Sequence, residues 1–237
     1  MRQNFEVLMK ILAIESAAKS AGAAVLCGGK LLSEEFINCG LTHSQTLMPL
    51  VDAALSRAGV SIGEIDGVAV SAGPGSFTGV RIGLGTAKGL ALGIEKPLYP
   101  VPTLLALAYN VISYKGIIAP IMDARRGEVY TATYRSDGKA LEEITPMRAI
   151  PLSDLLEEVE EAMFVGDGVE VHREKIIEKL GEGAHFAPDH LLHHRASSVG
   201  IAAMTVAPRS PHEAEPFYLR LSQAEREYME KEKGTAK

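Results

Sequence analysis

Cysteine is scarce in this sequence: the 237 residues contain only Cys27 and Cys39. Two thiols in a chain of this length do not build a disulfide framework, so we expect a protein of the reducing cytoplasm. Long apolar runs are missing as well, because none reaches the roughly 18–20 residues that a membrane-spanning helix needs. The first nine residues also lack the apolar stretch of a secretory signal. No membrane association is therefore expected.

A basic stripe is a further absence. The net charge is −6, and the first 100 residues, with eight basic and eight acidic residues, are neutral, so the imbalance lies in the remainder of the chain. Contacts to phosphates dominate the affinity of proteins for nucleic acids, which makes an acidic chain a poor primary binder of RNA or DNA. With 46% hydrophobic and 23% charged residues, the composition is otherwise that of a globular protein with one large domain or two small ones.

The common catalytic motifs GxSxG, CxxC and HExxH are missing too. Ser76 lies between Gly75 and Phe77, but its flanking residues do not form a nucleophile elbow, and no His or Asp is placed by the sequence to activate it. A peptidase is therefore a weak hypothesis.

Three histidines near position 190 resemble a metal cluster by their number alone. His190, His193 and His194 follow a Pro-Asp pair in a polar segment, without a Cys or a paired carboxylate at ligand spacing. We predict that they lie in a surface loop.

The first half of the chain predicts an ordered series of elements. Short apolar and β-branched runs predict strands at 10–15, 21–27, 30–38, 65–71 and 98–101. Helices are predicted at 43–58, from about 80 to 93, and at 103–112.

The helix 43–58 has the clearest pattern. An apolar stripe at helical spacing comprises Leu47, Leu50, Val51, Ala54, Leu55 and Ala58. Thr42 is a plausible N-cap that forms a capping box with Gln45, and Gly59 stops the helix. Pro49 lies inside the segment, so a kink or a later start is an alternative.

Glycine marks the region that follows. The loop 73–79 is interpreted either as a contact loop or remnant phosphate loop, or as a tight turn that needs glycine φ values. In the next helix, Gly85, Gly89 and Gly93 recur at four-residue steps, although each costs about 1 kcal/mol relative to Ala. We therefore predict that another backbone packs closely against this face.

The second half repeats the same order of elements without repeating the letters. Strands are predicted at 117–123, 128–134, around 141–144 and at 162–165, and helices at 152–161, 169–180 and 196–206. At the corner of its first hairpin, Asp123, Arg125 and Glu128 form either an acid/base group or, as we favour, a charge-paired corner. Pro216-Phe217-Tyr218 reads as an apolar anchor for the C-terminal segment, and residues 223–237 as a charged, solvated tail.

Several letter patterns together resemble a known family. In chain order they are ILAIES from Ile11, HSQTLMPLVDAAL from His43, SAGPGSFTGVRIGLGTAKGLALG from Ser71, MDARRGEVY from Met122 and EAEPFYLR ending at Arg220. The sequence resembles the tRNA threonylcarbamoyladenosine biosynthesis proteins of the TsaB (YeaZ) family over nearly its whole length.

This resemblance implies an α/β protein with the actin-like ATPase (ASKHA) fold, in which two ribonuclease H-like lobes each have a mixed sheet flanked by helices. We expect an N-terminal lobe at 9–102, a smaller C-terminal lobe at 103–195, and a C-terminal segment at 208–237. A helix at about 196–207 is expected to pack back on the N-terminal lobe.

The resemblance also implies partners. The larger paralogue TsaD binds ATP and a metal and transfers the threonylcarbamoyl group to N6 of adenosine 37 in tRNAs that read ANN codons. The small ATPase TsaE completes the complex. The implied role of this chain is a non-catalytic activator of TsaD that meets tRNA only indirectly and forms a homodimer when alone.

Particular positions favour the silent role once this alignment is made. The paralogue's metal-binding His-x-x-x-His pair aligns with Thr103 and Leu107, which do not supply imidazole ligands. Glu15 and Ser16, with Gly73 and Gly75, stand where a nucleotide loop would lie and are interpreted as a vestigial one. Neither a metal nor another cofactor is expected.

The two helices of the N-terminal lobe are predicted to dock the partner, with packing on the lobe's own sheet as the alternative. The predicted interface comprises His43, Leu47, Leu50, Val51, Ala54, Ser76, Phe77, Arg81, Gly85 and Gly89. An actin-like small-molecule kinase or ATPase and a glycoprotease-like peptidase are the alternative functions.

Overall fold

A computed structural model describes residues 8–40 and 42–220. Two five-stranded sheets form the framework of two lobes, and helices cover the sheets. The predicted charged tail 223–237 lies outside the described residues. Of the helices in the described ranges, none combines the length and the apolar character that crossing a bilayer requires.

The first lobe is built on a sheet of strand order β3-β2-β1-β4-β5. β1 to β3 form an antiparallel meander, whereas β4 and β5 run parallel to β1. Its strands are β1 (Lys10–Glu15), β2 (Ala21–Cys27), β3 (Lys30–Ile37), β4 (Gly67–Ser71) and β5 (Leu98–Val101), and its helices in chain order are α1 (His43–Ala58) and α2 (Phe77–Gly93). A 3₁₀ turn at Ile62–Glu64 precedes β4.

The second lobe repeats this topology, with strand order β8-β7-β6-β9-β10 when read from its antiparallel edge. Its elements are β6 (Gly116–Asp123), β7 (Glu128–Ser136), β8 (Leu141–Pro151), α4 (Leu152–Glu158), β9 (Ala162–Val165), α5 (Gly168–Leu180) and β10 (Ala184–Phe186). The helix α3 (Thr103–Tyr109) joins the lobes, and α6 (Ala196–Ala203) follows the second lobe. The actin-like fold and the duplication at the level of elements are confirmed.

Three apolar clusters hold the helices on the sheets. α1 and α2 pack on one face of the first sheet through a cluster that includes Leu12, Leu47 and Leu84. On the other face, α6 packs against β1 and β2. The third cluster is the core of the second lobe, which Leu104 and Leu107 of α3 enter. Because Ala106 of α3 belongs to the α6 cluster, α3 is packed into both lobes.

Several local predictions need correction. α1 has the predicted bounds and Gly59 ends it with φ of +65°, but the Thr42 side chain makes no capping hydrogen bond, so the predicted capping box is wrong. α1 is one continuous helix that begins at His43 although it contains Pro49, so the alternative of a later start is wrong. α2 starts at Phe77, three residues earlier than predicted, because Ser76 is its N-cap.

The close backbone packing predicted for the glycine stripe of α2 is also wrong as far as the described residues are concerned. A Cβ placed on Gly85, Gly89 or Gly93 would meet no described atom within 4 Å. This face of α2 is open, and no backbone of the described residues covers it.

Candidate functional site

The two lobes enclose a cleft of about 990 Å³ at the ends of β1, β4, β6 and β9. The β1–β2 turn, the glycine loop 73–79, the β6–β7 corner, the start of α5 and residues 217–220 line it. Ligands of α/β folds bind at the carboxyl ends of the strands. The nucleotide loops implied by the resemblance are therefore to be sought in this cleft.

The glycine loop packs directly on the β1–β2 turn, with no room for side chains between them. A Cβ on Gly75 would lie 2.3 Å from the carbonyl oxygen of Ala17. A Cβ on Gly79 would lie 2.2 Å from the carbonyl oxygen of Ser16, and a Cβ on Gly83 would lie 2.1 Å from the hydroxyl oxygen of Ser16. The contact between loop and turn thus depends on glycine at these positions.

Hydrogen bonds fix this contact and use the polar groups of the loop. The amide of Ser76 donates to the carbonyl of Ala17 at 2.7 Å, and the hydroxyl of Ser16 donates to the carbonyl of Gly79 at 2.9 Å. The hydroxyl of Ser76 accepts from the amide of Gly79 at 3.3 Å as the cap of α2. Gly73 has φ of +113°, as the tight-turn interpretation requires. Ser76 acts in this structure as a helix cap.

Glu15, at the end of β1, is fully buried. One carboxylate oxygen accepts from the amide of Ala17 at 2.6 Å, and the other accepts from the hydroxyl of Ser71. Burial raises the pKa of Glu15, and the nearby His194 opposes this shift. A carboxyl group without accessible surface is not available to a ligand in the cleft.

Thr103 and Leu107, the positions aligned with the paralogue's metal-binding histidines, both have structural roles. The buried hydroxyl of Thr103 accepts from the amide of Gly73 at 3.1 Å, and the amide of Thr103 donates to the carbonyl of Gly73 at 2.8 Å. Leu107 is 1% exposed and belongs to the core of the second lobe. In the described part of the chain, no group of three or more His, Cys, Asp or Glu side chains is placed to hold a metal ion.

The surface location predicted for the histidine group is wrong for one member. His194 is only 2% exposed, and burial lowers its pKa. His190 is exposed, whereas the half-buried His193 lies 3.2 Å from the amide of Asn38 and 3.5 Å from a carboxylate oxygen of Glu170. The sequence gives no sign of this difference, because all three histidines lie in one polar segment.

The β6–β7 corner is tied differently from the predicted charge pairing. The carboxylate of Asp123 accepts from the backbone amide of Arg125 at 2.9 Å, so the guanidinium of Arg125 is not the partner in this bond. Glu128 instead pairs with Arg220, which also donates to the carbonyl of Ala124 at 3.1 Å. Sequence reasoning missed Arg220 because its partner lies 92 residues away along the chain.

The predicted anchor Pro216-Phe217-Tyr218 begins a segment that we call the strap, residues 216–220. The amide of Phe217 donates to the carbonyl of Ala72 at 2.7 Å. The ring of Tyr218 stacks on Phe77 with 5.1 Å between centroids. Arg81 donates to the Tyr218 hydroxyl at 2.7 Å, and its guanidinium lies 3.7 Å from the centroid of the Phe77 ring.

The predicted interface residues separate into buried and accessible groups. Leu47, Val51 and Ala54 are at most 1% exposed and lie in the core under α1, so their side chains cannot meet a partner. His43 and Leu50 are half-buried, and the His43 ring bonds the carbonyl of Ala18 at 2.7 Å. The accessible members are Ser76, Arg81, Gly85 and Gly89, with Phe77 half-buried.

Two exposed apolar side chains near this region were not predicted. Met48 of α1 is 41% exposed and Leu92 of α2 is 43% exposed. Neither belongs to the apolar stripe that faces the sheet. An apolar residue on the polar side of an amphipathic helix was the signal that could have identified them. We define the α1–α2 face as Met48, Arg81, Gly85, Gly89, Leu92 and Gly93.

Comparisons with known proteins agree with this architecture. The family model of TsaD, tRNA N6-adenosine threonylcarbamoyltransferase, matches residues 38–232. The tRNA threonylcarbamoyladenosine biosynthesis protein TsaB of Bacillus subtilis is 33% identical over 229 residues, which cover 95% of this chain and 100% of that protein. TsaB of Escherichia coli is 41% identical over 131 residues, which cover 54% of this chain and 56% of that protein.

A solved structure shows the same fold. YeaZ from Pseudomonas aeruginosa superimposes with a TM-score of 0.73 and 25% sequence identity, covering 90% of this chain and 100% of that one. The sequence match to the Bacillus subtilis protein and the structural match to YeaZ therefore each cover at least 90% of this chain.

Proposed function

Since the chain belongs to the TsaB (YeaZ) family of tRNA threonylcarbamoyladenosine biosynthesis proteins, we propose that it is a non-catalytic partner subunit of a TsaD-type threonylcarbamoyltransferase. In this role it activates the catalytic paralogue in the cytoplasm, and the modified adenosine is position 37 of tRNAs that read ANN codons. The TsaE ATPase is the third protein of the proposed assembly.

The observation that carries the silent role is the filling of the nucleotide-loop positions by the chain's own atoms. The β1–β2 turn and the glycine loop are in contact and hydrogen-bonded to each other, and the carboxyl group of Glu15 is buried. The hydroxyl of Thr103 is bonded to Gly73. A phosphate could enter between the turn and the loop only by displacing these contacts, which supports a function without nucleotide turnover.

The open α1–α2 face supports the partner role. Gly85, Gly89 and Gly93 leave the backbone of α2 bare, and exposed Met48 and Leu92 add apolar surface on these helices. Small residues allow another helix to approach closely, and apolar side chains supply the area that an interface buries. We propose that helices of TsaD dock here, and that a second copy of this chain takes the same face when TsaD is absent.

Indirect contact with tRNA fits the charge of the chain. The net charge of −6 does not favour binding to a polyanion. TsaD is therefore proposed as the subunit that holds the tRNA.

Reconstitution tests this function. Purified TsaD-type transferase, the small ATPase, threonylcarbamoyl-adenylate and unmodified tRNA are combined with and without this chain, and the modified nucleoside is measured. We expect modification to depend on the chain, and the chain alone to release no phosphate from ATP. Steady metal-dependent ATP turnover by the isolated chain would instead favour a kinase or ATPase, and cleavage of a peptide that Ser76→Ala abolishes would favour a peptidase.

The docking face is tested with a charge on α2. Gly85→Asp should weaken association with TsaD in titration calorimetry, because a carboxylate would be buried against the partner helix. Ile177→Asp is the matched control, since Ile177 is 48% exposed on α5 of the second lobe. Normal association of a folded Gly85→Asp protein would show that the assigned face is wrong.

A further inference from the structure

The strap reaches the cleft from the first lobe and is tightly held there. Besides the bond from its amide to Ala72, Phe217 covers Gly73 so closely that a Cβ on this glycine would lie 2.5 Å from the Phe217 carbonyl oxygen. Tyr218 then stacks on Phe77 at the beginning of α2. The first half of the strap is therefore fixed on the glycine loop and the α2 N-terminus.

The end of the strap is bonded to the second lobe. The guanidinium of Arg220 pairs with the carboxylate of Glu128 and donates to the carbonyl of Ala124 at 3.1 Å. It also lies 5.7 Å from the centroid of the Tyr130 ring. These groups belong to the β6–β7 corner, which lines the cleft opposite the glycine loop. Arg220 is half-buried, so its ion pair is partly protected from solvent screening.

Within residues 42–220 the chain also passes between the lobes at two crossovers, through α3 and through the segment before α6. Asn110 ties these crossovers together, because its amide donates to the carbonyls of Leu191 and His193, both at 2.8 Å, and its oxygen accepts from the hydroxyl of Ser198 at 2.6 Å. Two-lobed proteins close and open by rotation at such crossovers. Bonds across the cleft itself oppose that rotation.

We propose that the strap is an interlobe latch: bonded to the glycine loop at Phe217 and to the β6–β7 corner at Arg220, it holds the lobes at one angle and keeps the cleft narrow. The latch lets a fold with a hinge behave as a rigid body. This inference concerns the free chain and does not depend on the proposed partner.

Spin-label distances measured by electron–electron double resonance test the latch. Labels are placed at Ser56→Cys on α1 and Glu174→Cys on α5, two exposed sites in different lobes, in a Cys27→Ser/Cys39→Ser background. We expect one narrow distance distribution for this labelled protein and a broader distribution, shifted in its mean, for Arg220→Ala. The matched control is Arg209→Ala, an exposed arginine of the same C-terminal region whose backbone pairs with Leu98.

A second variant and a second readout keep the test decisive. Glu128→Gln removes the charge partner of Arg220 from the second lobe and should broaden the distribution in the same way, even if Arg220→Ala does not fold. In both variants, hydrogen exchange at the Phe217 amide should become about tenfold faster than in the unaltered chain, which is the order expected for losing a charge-assisted hydrogen bond. Distributions of Arg220→Ala or Glu128→Gln that superimpose on that of the unaltered strap, or a broad distribution before any strap mutation, would overturn the latch.

Discussion

Replacing the outward glycines of α2 by alanine should change the free energy of unfolding, and the sign of this change depends on what surrounds the helix. Gly85 and Gly89 lie inside α2, and a Cβ at either position meets no described atom within 4 Å. Glycine in a helix interior costs about 1 kcal/mol relative to alanine, chiefly through backbone entropy. Gly85→Ala/Gly89→Ala should therefore raise the free energy of unfolding of the isolated chain by about 2 kcal/mol, provided that the two effects add.

The inward glycines of the same helix provide the contrasting control. A Cβ on Gly79 would lie 2.2 Å from the backbone oxygen of the buried residue Ser16, which has no free space to move. Overpacking of this kind costs about 1–3 kcal/mol. Gly79→Ala should thus destabilise the chain although the chemical change is identical.

Urea unfolding followed by circular dichroism measures both effects, and thermal unfolding should show a rise in Tm of about 4–8 °C for the double variant. Under the proposed docking role, the same double variant should bind TsaD more weakly, because two methyl groups stand where a partner helix approaches. Lower stability of Gly85→Ala/Gly89→Ala than of the unaltered chain would refute the reasoning from the structure. Higher stability with unchanged affinity for TsaD would refute the docking of a helix on these glycines.

Two further predictions concern buried polar groups. Thr103→Val should lower the free energy of unfolding by about 1–3 kcal/mol in urea titrations, because it leaves the amide of Gly73 without its side-chain acceptor. A loss of stability that appears only when a divalent metal is present would contradict this structural role. Glu15→Gln tests the raised pKa of the buried Glu15 carboxyl. A group whose pKa is higher in the folded than in the unfolded state contributes stability that is full at low pH and is lost as the pH rises through the folded pKa. The neutral Gln variant should therefore be more stable than the unaltered chain at pH 8 and should lose this advantage towards pH 4. An advantage that grows towards acid pH would contradict the sign.

Much of the fold follows from patterns within single elements. The bounds of α1 and the repeated order of strands and helices could be predicted, because apolar periodicity and glycine stops are local signals. β10 could not, since three residues with intermediate burial carry too little pattern. The burial of His194 and the pairing of Arg220 with Glu128 also escaped prediction, because both depend on segments that are distant along the chain.

The interface residues show why an apolar stripe is ambiguous. The periodicity of Leu47, Val51 and Ala54 is compatible both with docking, the predicted role, and with packing of the helix on its own sheet, and the structure gives these residues the second role. What distinguishes a docking face is apolar or bare surface left over after the sheet is covered. On these helices that remainder is Met48, Leu92 and the outward glycines.

The glycines of α2 have two physical roles that a shared four-residue spacing conceals. Gly79 and Gly83 are required inside the chain, because any side chain there would collide with the β1–β2 turn. Gly85, Gly89 and Gly93 are required by nothing in the described residues. Gly85 and Gly89, which lie inside the helix, together cost the isolated chain about 2 kcal/mol, a sizeable part of the 5–15 kcal/mol that typically stabilises a folded protein. Under the proposed docking role, the compensating contact comes from a partner, and an approaching helix backbone is the contact for which a bare glycine stripe is suited.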